Sequence, residues 1–224
     1  MDFLFVPGER GWQLTRYWRV PEHKVRRGCL AADVAKFNGA MTIRDASPGG
    51  WPRSFVFVGR YEQEKGLLDL VEAYQRYRDA VTDPWSLRCC GVGSLKIELA
   101  NRPGVEDLGF IQPANLPAVL AQQGVFILPS HWEPWGLAIL EACASGLPVV
   151  CTEACGSSVE LVRSLHNGLT CPAEDVDALV RAMRWCHAHH AQLSEMGRRS
   201  QELARPYSAQ MWADHVMSML TLTP

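Results

Sequence analysis

Residues 129–150 read PSHWEPWGLAILEACASGLPVV, with two carboxylates, Glu133 and Glu141, eight positions apart around the start of an apolar helical pattern. A helix beginning near Gly136 leaves the N–H groups of Gly136, Leu137 and Ala138 without intrahelical partners. Its positive dipole end favours an anion such as a phosphate. Glu133 then lies in the preceding loop, and Glu141 falls in the second turn. A carboxylate beside a ribose accepts hydrogen bonds from both hydroxyls, the role an acidic residue plays in dinucleotide folds. Glu141 stands between Leu140 and Ala142, which makes a purely solvated role less natural. Two other readings stay open here. Both acids can be exposed surface groups, or they can be a carboxylate pair for glycoside hydrolysis, whose separation no sequence spacing establishes.

Basic residues precede this stretch. Gly59-Arg60 and then Glu64-Lys65-Gly66 follow the apolar run SFVFV. An Arg and a Lys five apart on a strand-to-helix loop can converge on one anionic group such as a diphosphate. The plain alternative is a pair of solvated charges. Gly91-Val92-Gly93 follows SLRCC, and glycines there let backbone approach a ligand closely. Alone, such a loop lacks the rest of a dinucleotide fingerprint. His131 lies beside the acidic motif and is not assigned a catalytic role. His187, His189 and His190 point in divergent directions on a helix, so the tract HAHH reads as a solvated face rather than a metal site. The eight cysteines include no CxxC pair, and adjacent Cys89 and Cys90 sit in an apolar run. They read as small buried hydrophobes in a reducing compartment.

These residues need elements to hold them. The chain has 224 residues, 47% hydrophobic and 21% charged, enough for a sizeable core. A net charge of −2 gives no electrostatic case for nucleic acid or an anionic membrane. No apolar run approaches the ~20 residues of a membrane-spanning helix. The start, MDFLFVPGERG, lacks the basic region and apolar core of a signal peptide. From residue 54 onward, short apolar runs (54–59, 86–91, 104–109, 124–129, 147–151, 168–171) alternate with amphipathic stretches. Those stretches predict helices over 65–80, 94–100, 114–123, 136–145, 157–164 and 175–188. Near-continuous apolar strands separated by helices indicate a parallel sheet covered on both faces, a doubly wound α/β fold. Ligands in such sheets bind beyond the carboxyl ends of the strands, where Arg60, Lys65, Gly91, Gly93, Glu133 and the start of the Glu141 helix fall. The ends differ. Residues 1–50 hold one strand candidate, a short helix near 11–18 and then a polar, Gly-containing stretch that reads as a linker. Two further helices, 191–204 and 208–221, are broken by Arg205-Pro206.

GRYEQEKG, GVGSL, LGFI, PSHWEPWGLAILEACASGLPVV and NGLTCPAEDVDAL occur in that order. Together they resemble the donor-binding, C-terminal domain of retaining glycosyltransferases of GT-B architecture, the glycosyltransferase family 4 group. The resemblance covers roughly residues 54–205. It implies a Rossmann-like domain over 51–205 and transfer of a hexose from a nucleotide-diphosphate sugar with retention. Arg60 and Lys65 match the basic pair that stabilises the departing diphosphate. Glu133 matches the acid that contacts the donor sugar. Gly136, Leu137 and Ala138 match the backbone near phosphate and sugar, and Glu141 the acid that holds the ribose. Phe110 and Ile111 match the region that receives the base, and Gly93 the glycine loop near the donor. The resemblance implies no metal and no other cofactor, because the basic pair and the helix dipole supply the positive charge.

The family's whole enzymes also have an N-terminal acceptor domain. Residues 1–50 resemble the last strand and helix of that domain plus a linker, and 206–224 the helix that crosses back to it. Phe3, Leu4, Trp212 and Met217 are therefore expected to be exposed or covered by a partner domain or a second copy. The expectation is a donor-binding half, cytoplasmic or membrane-peripheral as part of a complete enzyme, weak in transfer by itself. The alternative is a non-catalytic nucleotide-sugar-binding module. The acceptor, whether glycan, lipid or small molecule, stays open.

Overall fold

Parallel strands need a crossover, and residues 4–27 supply one: β1 (Leu4–Val6), α1 (Glu9–Tyr17) and β2 (Val25–Arg27), with Leu4 opposite Val25. The structure is a computed structural model and describes residues 3–221. A two-stranded ribbon is marginal in water by itself, and here it leans on later parts of the chain. The Glu160 carboxylate accepts from the Glu9 N–H at 2.5 Å, at the positive end of α1. Gly8 makes that approach possible, since a Cβ there would stand 2.2 Å from Glu160 Oε1. Arg10 donates to the Glu153 carbonyl.

Residues 38–53, read from sequence as a linker, contain instead a helix, α2 (Gly39–Asp45). Its Arg44 is 1% exposed. The guanidinium donates to the carbonyls of Ser145 and Gly146, each at 2.9 Å, and of Leu120 at 3.1 Å. It lies 4.9 Å from the Trp51 ring centroid. Burying an arginine this way is sustained because the acceptors are carbonyls left free at two helix ends. Apolar periodicity cannot reveal such a helix.

The main sheet is built from β3 (Ser54–Val58), β4 (Ser86–Cys90), β5 (Val105–Gly109), β6 (Val125–Leu128), β7 (Val149–Thr152) and β8 (Gly168–Cys171). All its pairings are parallel, in the order β5-β4-β3-β6-β7-β8. Phe55, Phe57, Phe126, Ile127, Val149 and Cys151 are fully buried, as their uninterrupted apolar runs require. The edge strand β5 instead exposes Glu106 and Asp107, which discourages further pairing. On one face α3 (Leu67–Ala80) packs against α7 (Val176–Ala188). On the other, α5 (Leu137–Ala144) packs on α6 (Ser158–Leu161) and α8 (Leu193–Ala204), and α4 (Leu116–Leu120) on α2. Every predicted strand is present. The helix expected over 94–100 is a single tight turn at Lys96–Leu99, and the one over 157–164 shrinks to the four residues of α6.

The histidines at the end of α7 are not a solvated face. His187 stacks on Trp85 with centroids 5.2 Å apart and hydrogen-bonds the Tyr77 hydroxyl at 2.7 Å. His189 stacks on Trp185 at 4.2 Å, and His190 bonds the Trp51 carbonyl at 2.8 Å. Tyr77 on α3 and the tryptophans just before β3 and β4 hold His187 and His190, and Trp185 on α7 itself holds His189. The cysteines are all free, and all but Cys29 are buried. Burial pushes the Cys143 and Cys186 thiols up to about 12. Finally α9 (Ala209–Thr221) lies against the N-terminal ribbon. Trp212 Nε1 donates to the Cys29 carbonyl at 3.2 Å, and Phe5 and His215 have ring centroids 5.8 Å apart. Phe3 and Leu4 are half-buried, whereas Trp212 and Met217 are 39% and 58% exposed.

Candidate functional site

The strand order reverses between β3 and β6. Chain from β3 runs outward through β4 to β5, and chain from β6 runs the other way to β8. Loops leaving the two central strands therefore diverge and open a crevice at the carboxyl edge. Lys65 lies on the loop after β3 and Glu133 on the loop after β6, and they meet there. Lys65 Nζ is 2.6 Å from Glu133 Oε2, and the two side chains are only 12% and 16% exposed. Gly66 lets the loops touch, with φ of 67° and the Pro129 carbonyl where a side chain would begin.

Arg60 does not converge with Lys65. Its side chain is 66% exposed and pairs with Glu64 at 2.6 Å. Each cation thus has its own carboxylate, and only Lys65 is enclosed. Arg60 instead borders an apolar cleft of about 200 Å³ lined by Val58, Val92, Phe110, Ile111 and Leu116. Phe110 is 60% exposed, an open aromatic face at the end of β5. The glycine loop forms the floor between cleft and crevice. A Cβ on Gly91 would stand 1.9 Å from the Gly59 carbonyl, and one on Gly93 would stand 2.4 Å from that of Tyr61. The Glu62 carboxylate ties the loop down, accepting from the Ser94 N–H at 3.0 Å and its hydroxyl at 2.6 Å. These bonds lower the Glu62 pKa.

Beyond Glu133 the loop is braced from behind by residues 155–157. Gly156 N–H donates to the Glu133 carbonyl at 2.9 Å, and Ser157 N–H to that of Trp135 at 2.8 Å. Gly136, with φ of 97°, turns the chain into α5. Among the described residues the N–H groups of Gly136, Leu137 and Ala138 have no hydrogen-bond partner. Leu137 is exposed and Ala138 half-buried beside them. Glu141, one turn on, is half-buried, and its carboxylate has no partner among the described residues. Desolvation raises its pKa. The site therefore combines a closed ion pair, a row of free N–H donors and an unpaired carboxylate.

Residues 45–203 match the family described as Glycosyl transferases group 1. The chain belongs to that family. As a group 1 chain it is 35% identical over 145 residues to the glycogen synthase of Mycobacterium tuberculosis, covering 61% of this chain and 34% of that protein. It is 31% identical over 160 residues to the D-rhamnosyltransferase WbpZ of Pseudomonas aeruginosa, covering 67% of this chain and 40% of that protein. Among solved structures it resembles HepE of Anabaena in complex with UDP, at 16% identity. The TM-score is 0.80, over 99% of this chain and 64% of that one. That likeness shows the fold, a Rossmann-like domain of GT-B architecture. The group 1 chain spans about a third to two fifths of the length of these curated relatives. Among the described residues no helix is long and apolar enough to cross a membrane.

Sequence reading missed several partners. His131 Nε2 is 2.7 Å from Asp69 Oδ2, and Tyr61 hydroxyl donates to Asp107 at 2.8 Å. Glu160 and Arg10 join the N-terminal ribbon to the loops around the site. Only Asp69 left a trace, standing four residues after Lys65.

Proposed function

We propose that the chain binds a nucleotide-diphosphate sugar across the crevice and serves as the donor half of a retaining glycosyltransferase that passes a hexose to an acceptor. The observation that carries this reading is the enclosed Lys65–Glu133 pair beside unpartnered N–H groups at the start of α5. The diphosphate lies on Lys65 and those N–H groups, with Arg60 swinging in from the rim. The sugar hydroxyls bind Glu133. The ribose hydroxyls donate to Glu141, which binding then holds ionised despite its burial. The base enters the apolar cleft against Phe110 and Ile111, with Gly93 behind the phosphates. Charge on the departing diphosphate is stabilised by Arg60, Lys65 and the helix end without a metal ion. Fixed electrostatic groups of this kind supply roughly 3–4 kcal/mol of barrier lowering each. Family membership supports the reaction class, and UDP in the Anabaena HepE complex supports the ligand class.

A second reading has a specific basis. The chain spans only part of its relatives' length, about a third to two fifths. In that reading it is a nucleotide-sugar-binding module that needs an acceptor domain, its own or a partner's, for turnover. Calorimetric titration with UDP, GDP and ADP and their glucose or mannose conjugates tests the donor site. Selective binding of one nucleotide, lost in Lys65→Ala and Glu141→Ala, is the expected result. Absence of binding by the folded chain would sink the donor-site reading. Assay of the purified chain with simple acceptors separates the two readings, and robust turnover would remove the second.

A further inference from the structure

The loop of residues 129–136 is joined to residues 59–69, the loop after β3 and the first turn of α3, in three ways, and the Lys65–Glu133 pair is only one. The second is backbone: the His131 N–H donates to the Glu64 carbonyl at 2.9 Å, and Gly66 presses on the Pro129 carbonyl. The third is a side-chain bond between His131 Nε2 and Asp69 Oδ2 at 2.7 Å, with the two side chains 20% and 23% exposed. His131 is two residues before Glu133, and Asp69 is four after Lys65, so this bond runs alongside the ion pair. Backbone bonds hold residues 131 and 132 to the Glu64 carbonyl, and the carbonyls of 133 and 135 to Gly156 and Ser157 behind them. The imidazole adds a side-chain brace on the opposite side, toward the first turn of α3 just beyond Lys65.

A bound donor makes the third link decisive. Lys65 holds Glu133 in the free protein, but it must share its ammonium with the diphosphate when a donor enters. The bond to Glu133 then weakens at the moment when the sugar needs that carboxylate in place. His131 and Asp69 are outside this exchange, because neither is bonded to Lys65 or Glu133.

We propose that His131 and Asp69 are a positioning pair that keeps Glu133 on the donor sugar while Lys65 engages the diphosphate, and so govern recognition of the sugar rather than of the nucleotide. This rests on the donor-site reading above. Neither residue touches the donor.

The test is the ratio of affinities for a sugar nucleotide and its parent diphosphate. Calorimetry would compare UDP with UDP-glucose, GDP with GDP-mannose and ADP with ADP-glucose. The proteins are the unaltered chain, His131→Phe, His131→Gln and Asp69→Ala. For the pair that binds, His131→Phe and Asp69→Ala each lower the ratio by about tenfold and leave the diphosphate within about twofold, the scale of one lost charge-assisted hydrogen bond. His131→Gln, whose amide N–H reaches the same carboxylate, restores most of the ratio. An unchanged ratio in both deletion variants, or equal loss of diphosphate and sugar nucleotide, overturns the proposal. Because the bond is cut from either side, misfolding of one variant leaves the other to decide. If the unaltered chain binds no diphosphate, the donor-site reading itself fails, and that outcome is distinct from a failed ratio.

Discussion

The crevice between β3 and β6 and the surface beyond it toward β5 and α5 handle polar groups in opposite ways. In the crevice, Lys65 and Glu133 already satisfy each other at 2.6 Å, largely away from water. On the surface beyond it, Glu141 has no partner among the described residues, and Phe110 shows an open ring. A ligand must therefore exchange an existing bond at the first place and meets groups with spare capacity at the second. An enclosed charge pair is costly to break from one side, since the survivor is a buried uncompensated ion. Unpaired groups are costly only while the site is empty. The crevice is thus the stringent part of the proposed site, and the surface toward β5 and α5 the receptive part.

Lys65→Ala strikes the stringent end and has the largest expected effect. Nucleotide affinity falls by about 100-fold, near 2.7 kcal/mol, the range for a charged contact at a desolvated site. Calorimetry checks it, and a loss under fivefold would erase the contrast. At the receptive end, Glu141→Ala costs about tenfold in diphosphate affinity through two lost charged hydrogen bonds. Binding of the 2′,3′-dideoxynucleotide, which lacks both hydroxyls, should be nearly indifferent to that change, which ties the effect to the ribose. Phe110→Ala costs about fivefold, the worth of one exposed aromatic contact. Least affected is stability in Arg60→Ala. The exposed pair with Glu64 contributes at most ~0.5 kcal/mol, so the melting temperature stays put while nucleotide affinity drops.

Glu141 also sharpens the comparison through pH. Burial raises its pKa above the ordinary 4.5, so the folded state holds the proton more tightly than the unfolded state does. Its favourable contribution is complete below 4.5 and is lost as pH rises through the folded value. Glu141→Gln therefore raises the melting temperature at pH 7, and the gain shrinks as pH falls through the folded value toward 4.5. A gain equal at both pH values would mean that desolvation is not the cause. In the crevice no such one-sided relief is expected from Glu133→Gln, because Lys65 would lose its counter-charge.

Much of this arrangement could be read from the chain. The runs marked the six strands, the central ones because strands buried on both faces leave no room for polar alternation and the edge strand β5 by its flanking glycines. Glu133, Gly136 and Glu141 could be placed around one helix start by spacing alone. Lys65 could be assigned to the adjacent loop in the same way, yet its bond to Glu133 spans 68 residues and left no local sign. Arg60, expected beside Lys65, turned to Glu64 because an i,i+4 neighbour was within reach of an exposed side chain. α2 was hidden because its anchor is an arginine serving carbonyls about a hundred positions away. The tract 187–190 was misjudged because Trp85, Trp51 and Tyr77 are brought to it only by sheet order. His131–Asp69 escaped for the same reason.

By itself the sequence determined the main strands, their parallel arrangement and the edge at which the candidate site lies, since apolar periodicity and glycine placement act over a few residues. The tertiary structure alone decided which charge meets which, because a hydrogen bond requires about 3 Å of separation and says nothing about distance along the chain.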